Sequence, residues 1–145
     1  MIVQMLQKTC VCLDLPAALK YLDIVSSCLD GILAQETDLE EHDRVSYDVQ
    51  LAVQEICANI VCHAYIHEQE DKRIHIKITL QAQPRCLVID LFDTGAAFDE
   101  CKVKMPNLEE GQVHGYGLFL VKNLMDDVLY CRQINGNCWH LAKNL

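Results

Sequence analysis

The chain has 145 residues, 51% of them hydrophobic and 23% charged, and a formal net charge of −9. That length suits one domain with a real core, and the balance of residue types excludes a disordered chain. The acidic charge argues against a nucleic-acid surface, which needs a basic stripe, and no apolar run approaches the roughly 20 residues that span a bilayer.

The opening "MIVQMLQKTC" has no basic segment followed by a long apolar core. The expectation is a cytoplasmic chain without a secretory signal. "TCVCLDL", Thr9 to Leu15, alternates as a strand does. Pro16 then opens a helical pattern, a place where its missing N–H costs little, and Leu19, Leu22, Ile24, Val25, Leu29, Ile32 and Leu33 give that helix a broad apolar face to about Gln35. After the acidic turn "ETDLEEHD" a second helix is predicted from about Val45 to His67, with Asp43 as its N-cap.

Two strand-like runs follow, "RIHIKITL" and "RCLVIDLF", joined by the short "QAQP" as in a hairpin. Asp93 to Gly117 shows no clean periodicity, and a loop that long in a compact domain is usually functional. A third helix is predicted from Tyr116 to about Met125. Two last strands, "VLYCRQI" and "CWHLAK", flank "NGN", a strong hairpin turn. Hairpin-linked strands with helices between them predict one α+β domain over 1–145, an antiparallel-rich sheet covered by helices on one face.

Nine cysteines, an odd number without a CxxC pair, make a poor disulfide framework and a poor zinc site. They are expected to be reduced, small and mostly buried hydrophobes.

Three stretches carry chemistry. In "LAVQEICANIVCHAY" the residues Glu55, Asn59 and His63 stand four apart, which stacks them on one side of the second helix. A solvated helix face would explain the column, yet its neighbours are apolar. A carboxylate there suits a general base, and an amide oxygen is a hard ligand suited to Mg²⁺. In "DLFDTGAAFD", Asp93 ends an apolar strand and Gly95 follows. That is a turn by composition, or a fixed carboxylate that accepts a hydrogen bond from an amine, with Gly95 admitting a flat ring. In "GQVHGYGLFL", Gly115 and Gly117 bracket a helix start whose N–H groups could face an anion. The spacing fits neither a P-loop nor a Rossmann fingerprint. Together the three describe a nucleotide site.

These residues resemble a known family. "EICANIVCHAY" resembles the ExxxNxxxHAY motif of the bacterial anti-sigma factor serine kinases of the RsbW and SpoIIAB type, within the ATPase superfamily of gyrase, Hsp90, histidine kinases and MutL. "DTGAAFD" and "GYGLFLVKNLMDDVLY" resemble that family's two glycine boxes, and "LDLPAALKYL" its first strand and helix.

The resemblance implies a two-layer Bergerat-type sandwich with a mixed, mostly antiparallel sheet, and ATP with Mg²⁺ under a lid from Asp99 to His114. It implies Glu55 as general base, Asn59 as Mg²⁺ ligand, His63 at the phosphate end and Asp93 reading the adenine amine with Gly95 behind the ring. Gly115, Tyr116, Gly117, Leu118 and Phe119 would cradle phosphates. It also implies a function. The chain would be a serine/threonine kinase that phosphorylates a STAS-type anti-sigma-factor antagonist and sequesters a sigma factor or another regulated partner, and it could form a homodimer.

The chain departs from the family in three places, one of them a second glycine box that is a spare GYG preceded by Gly111, with less glycine than many relatives. The lid has no arginine, only Lys102, Lys104 and His114, and Asn137 and Cys138 stand where relatives often have threonine near the adenine. A non-catalytic ATP-binding sequestration module is therefore the competing reading. Behind it come the catalytic half of a histidine kinase, which would need a phosphoacceptor helix pair, and a thiol or metal sensor using His63 with His67.

Overall fold

A computed structural model of the chain describes residues 8–66, 69–99 and 116–145. Five strands, β1 (Lys8–Ala17), β2 (Gln69–Ala82), β3 (Arg85–Asp93), β4 (Asp127–Gln133) and β5 (Gly136–Asn144), form one sheet in the order β1-β2-β3-β5-β4. Among the described residues all four pairings are antiparallel, with no parallel pair in place of the mixed sheet expected. Among the described residues three α-helices, α1 (Leu22–Ala34), α2 (His42–Asn59) and α3 (Gly117–Leu124), complete the two layers.

Period-two burial explains which face they cover. Ile74, Ile76 and Ile78 of β2 and Leu87, Ile89 and Leu91 of β3 are buried, whereas their neighbours on the other face are more exposed, with Cys86 the main exception. Against this face α1 sets Val25, Leu29 and Leu33, and α2 sets Val49, Val53 and Ile56, each at helical spacing, with Ile60 following directly after α2. No helix among the described residues is long and apolar enough to cross a membrane.

The structure corrects the sequence reading in several places. Pro16 does not open a helix. It pairs with Arg73 inside β1, and the register shifts between Pro16 and Ala17 before a short 3₁₀ turn, Leu19–Tyr21, leads into α1. Because β1 is an edge strand, a residue without an N–H is tolerated there. Asp43 is not the N-cap of α2. Glu41 holds that place with φ 52°, and Asp43 lies in the first turn, where its charge suits the helix dipole.

Nor does α2 run on to His67. After Asn59 the backbone widens into a π-helical turn, Ile60–Ala64, closed by the Tyr65 N–H on the Ile60 carbonyl at 3.0 Å. The last hairpin turns on Ile134 and Asn135, because Gly136 already pairs with Gln133; two residues of "NGN" therefore belong to β5.

The cysteines are also less buried than expected. All eight described are free, but Cys10, Cys12, Cys62 and Cys131 are exposed and only Cys57 and Cys86 are buried. The outward positions of β1 and β4 meet no covering layer among the described residues, which accounts for Cys10, Cys12 and Cys131. Inside the core, burial pushes the Cys57 thiol up to about 12.

Tyr65 ties the π-turn to the sheet. Its hydroxyl donates to the Arg73 carbonyl at 2.7 Å and accepts from the Thr94 N–H at 2.9 Å. Tyr65→Phe leaves both backbone groups without that partner, so it is expected to cost about 1–3 kcal/mol. A thermal melt checks this: a lowered midpoint is the expected result, and an unchanged one contradicts the role.

Candidate functional site

The site lies where the end of α2, the end of β3 and the start of α3 meet. Glu55 and Asn59 are half-buried on α2, on the flank that packs against α3. A Cβ built on Gly117 would lie 2.7 Å from Glu55 Oε2 and 3.9 Å from Asn59 Nδ2. The first residue of α3 is thus seated on the two polar side chains, and the missing side chain is what lets them approach. Tyr116 is the N-cap and accepts the Leu120 N–H at 2.9 Å; Leu118 is buried, while Phe119 is about half exposed. His63 sits on the π-turn and is exposed, so the wider winding re-aims the third member of the column. Gly115 and the lid from 100 to 114 lie outside the described residues.

Asp93 ends β3 and is 5% exposed. Its Oδ1 accepts the Gly95 N–H at 2.8 Å and the Asn137 amide N–H at 2.8 Å. Its Oδ2 is one of two buried side-chain polar atoms without a hydrogen-bond partner among the described residues, the other being His42 Nε2 near the far end of α2. Burial raises the carboxyl above its usual 3.8, against the lowering effects of Asn137, the Gly95 N–H and Arg132. A buried acceptor held on one side and bare on the other is costly unless a donor completes it.

Gly95 is required by the fold itself. A side chain there would meet the Ala64 carbonyl oxygen at 2.5 Å, and the next residue donates its N–H to that same oxygen at 2.8 Å. The glycine therefore brings the loop onto the π-turn whatever approaches its other side. Gly136 acts likewise: a Cβ would lie 1.9 Å from the Asp93 carbonyl oxygen, which seats β5 tightly on the end of β3.

Reading the sequence did not single out Tyr130, Arg132 or Tyr65, and it treated Asn137 only as an occupant of the last hairpin. In the fold, Asn137 lies opposite both Asp93 and Arg132. A two-residue turn at Ile134–Asn135 was the signal that would have placed it there.

The donor chemistry fits a magnesium nucleotide. Mg²⁺ is commonly held by one or two protein oxygens together with substrate phosphates. Asn59 offers the oxygen, and the bare Asp93 Oδ2 offers an acceptor for an amine.

Residues 15–143 match the family described as Histidine kinase-like ATPase domain. The chain is 30% identical over 124 residues to serine-protein kinase RsbW of Bacillus cereus (strain AH187), covering 80% of this chain and 73% of that protein. It is 29% identical over 127 residues to serine-protein kinase RsbW of Bacillus subtilis (strain 168), covering 80% and 74%.

Among solved structures it is similar to one of the RsbU and RsbW domains of a Mycobacterium tuberculosis protein, with TM-score 0.67 and 17% identity; the match covers 94% of this chain and only 32% of that one. It is also similar to a SiaB-SiaC complex from Pseudomonas aeruginosa, with TM-score 0.62 and 14% identity, covering 93% of this chain and 88% of that one. At such identities the solved structures speak for the fold alone.

Proposed function

The chain belongs to the histidine kinase-like ATPase domain family, with RsbW-type serine-protein kinases among its relatives, and from that premise we propose that it is an ATP-dependent serine/threonine protein kinase and anti-sigma factor. Its phosphoacceptor would be a STAS-type antagonist, and its sequestered partner a sigma factor or another regulated protein, in a cytoplasmic partner-switching circuit. A homodimer belongs to the same proposal.

The observation that carries this reading is Asp93 Oδ2, a buried acceptor at the end of β3 without a hydrogen-bond partner among the described residues. The adenine amine completes it. Guanine and hypoxanthine present a carbonyl at that position and would set oxygen against oxygen. Gly115, Tyr116, Gly117, Leu118 and Phe119 receive phosphates at the start of α3, with His63 supporting that end. Asn59 would hold Mg²⁺, which when bound neutralises charge on the transferred phosphoryl group.

The chain's own part in the transfer falls to Glu55. Its carboxylate takes the proton from the acceptor hydroxyl as the new oxygen–phosphorus bond forms, while the bond to the leaving diphosphate breaks. Gly117 leaves room for that carboxylate against α3.

The second reading, ATP binding and sequestration without transfer, is favoured by the absence of arginine from residues 99–114, since a lysine cannot copy the planar fork of a guanidinium. The two are separated with γ-radiolabelled ATP, Mg²⁺ and a STAS-type antagonist bearing the acceptor serine. Label on the antagonist is the expected result. Clear ATP binding without label transfer would overturn the kinase reading for that pair and leave the sequestration module.

A further inference from the structure

The Asn137 amide has one arrangement consistent with all its neighbours. On its oxygen side stand two donors: the Tyr130 hydroxyl, in a short hydrogen bond, and the Arg132 guanidinium at 3.2 Å. On its nitrogen side stand acceptors: Asp93 Oδ1 at 2.8 Å and the Ala96 carbonyl at 2.9 Å. Turned over, the amide would set oxygen against the carboxylate and N–H against two donors.

The same two β4 residues grip the loop that follows Asp93. Arg132 donates to the Gly95 carbonyl at 2.8 Å, and the Tyr130 hydroxyl accepts the Phe98 N–H at 2.8 Å. The Phe98 ring packs edge-on against Tyr130 and Trp139, at 5.5 and 4.9 Å between centroids.

We propose that Tyr130 and Arg132 are positioning residues for adenine recognition: they fix the Asn137 amide, which saturates Asp93 Oδ1 and leaves Oδ2 as the single atom that reads the amine. The proposal rests on the ATP reading of the site. Its physical content is preorganisation. The loop 94–98 and the carboxylate are set before the base arrives, so little ordering cost falls on binding. Without the two donors the carboxylate is free to rotate and the amide to turn, and the selective interaction is diluted among several arrangements. Contacts to the phosphates, which carry no information about the base, stay as they were.

The test compares ATP with inosine triphosphate, which has a carbonyl in place of the amine. Wild type, Tyr130→Phe, Arg132→Gln, the double variant and Arg132→Lys are titrated with each by calorimetry in Mg²⁺, with a thermal melt of every protein. The double variant is expected to lose about tenfold in ATP affinity, roughly one charged hydrogen bond, while inosine triphosphate binding changes less than about twofold. Arg132→Lys, which keeps one donor, should restore part of the preference.

Equal weakening of both nucleotides would mark a merely structural role and overturn the proposal, and so would an unchanged preference in the double variant. Arg132→Gln alters an exposed side chain, so it keeps the test open should the double variant melt early. A wild type that binds both nucleotides equally would instead overturn the adenine reading beneath the proposal, and the two failures are thereby distinguished.

Discussion

Asp93→Asn is expected to weaken ATP binding about 100-fold, the loss of one charge-assisted hydrogen bond at the strong end of its range, without unfolding the protein. The replacement is isosteric. An amide oxygen at Oδ1 still accepts from the Gly95 N–H and from Asn137. The other end then carries an NH₂ group, which meets the amine of adenine donor to donor. Stability should move the other way. Because burial raises the Asp93 carboxyl above 3.8, the folded protein holds this proton more tightly than the unfolded chain does. Its contribution to stability is therefore greatest in acid and declines as pH rises from the unfolded value through the raised folded one. Above that window the wild type carries the cost of a buried charge, and the variant, which has no such charge, should melt at a higher temperature near neutral pH. The gain should shrink on acidification. A variant that is less stable than wild type at neutral pH would contradict this account of the carboxylate.

The second large effect concerns the transfer step. Glu55→Gln removes the proton acceptor while keeping size and hydrogen-bonding capacity, so label transfer to the antagonist should fall by about 10²–10⁴-fold. ATP affinity should stay within about threefold, since the loss of a general base acts on the reaction and not on ground-state binding. Gly117→Ala approaches the same group from the other side. Its methyl would lie 2.7 Å from Glu55 Oε2, and the flexible carboxylate would have to swing away while the α3 backbone stays in place. The expected result is again a loss of transfer that exceeds the loss of binding. Transfer rates equal to wild type in both variants would remove Glu55 from the mechanism.

Much of the α+β order was legible because its signals are local. Ile74, Ile76 and Ile78 alternate, and Val49, Val53, Ile56 and Ile60 recur at helical spacing, so each run points to its own element and face. Glu55 and Asn59 were conspicuous because they interrupt such a helix, and Asp93 because it ends an apolar strand. The misread features depend on partners distant in sequence. Pro16 reads as a helix start until β1 is known to be the sheet edge that pairs with Arg73. The π-turn at Ile60–Ala64 has no compositional mark, and its consequence, an Ala64 carbonyl that meets Gly95 and Ala96, joins segments about 30 residues apart.

Asn137 is the clearest case. "NGN" is a good turn by composition, yet the turn is the two residues Ile134 and Asn135, because Gly136 is the residue that can lie against the Asp93 backbone. That shift carries Asn137 into β5, opposite Arg132, and makes it the partner of Asp93. The placement of the turn, and with it the strand register, thus decides whether the residue lies in a turn or holds a carboxylate.

The measurement that tests the central claim most directly is a calorimetric titration of the wild-type protein with ATP and with inosine triphosphate, both in Mg²⁺. A buried Asp93 Oδ2 that reads an amine predicts saturable ATP binding and at least about tenfold weaker binding of the analogue. Equal affinity for the two, or no binding of ATP by folded protein, would contradict it.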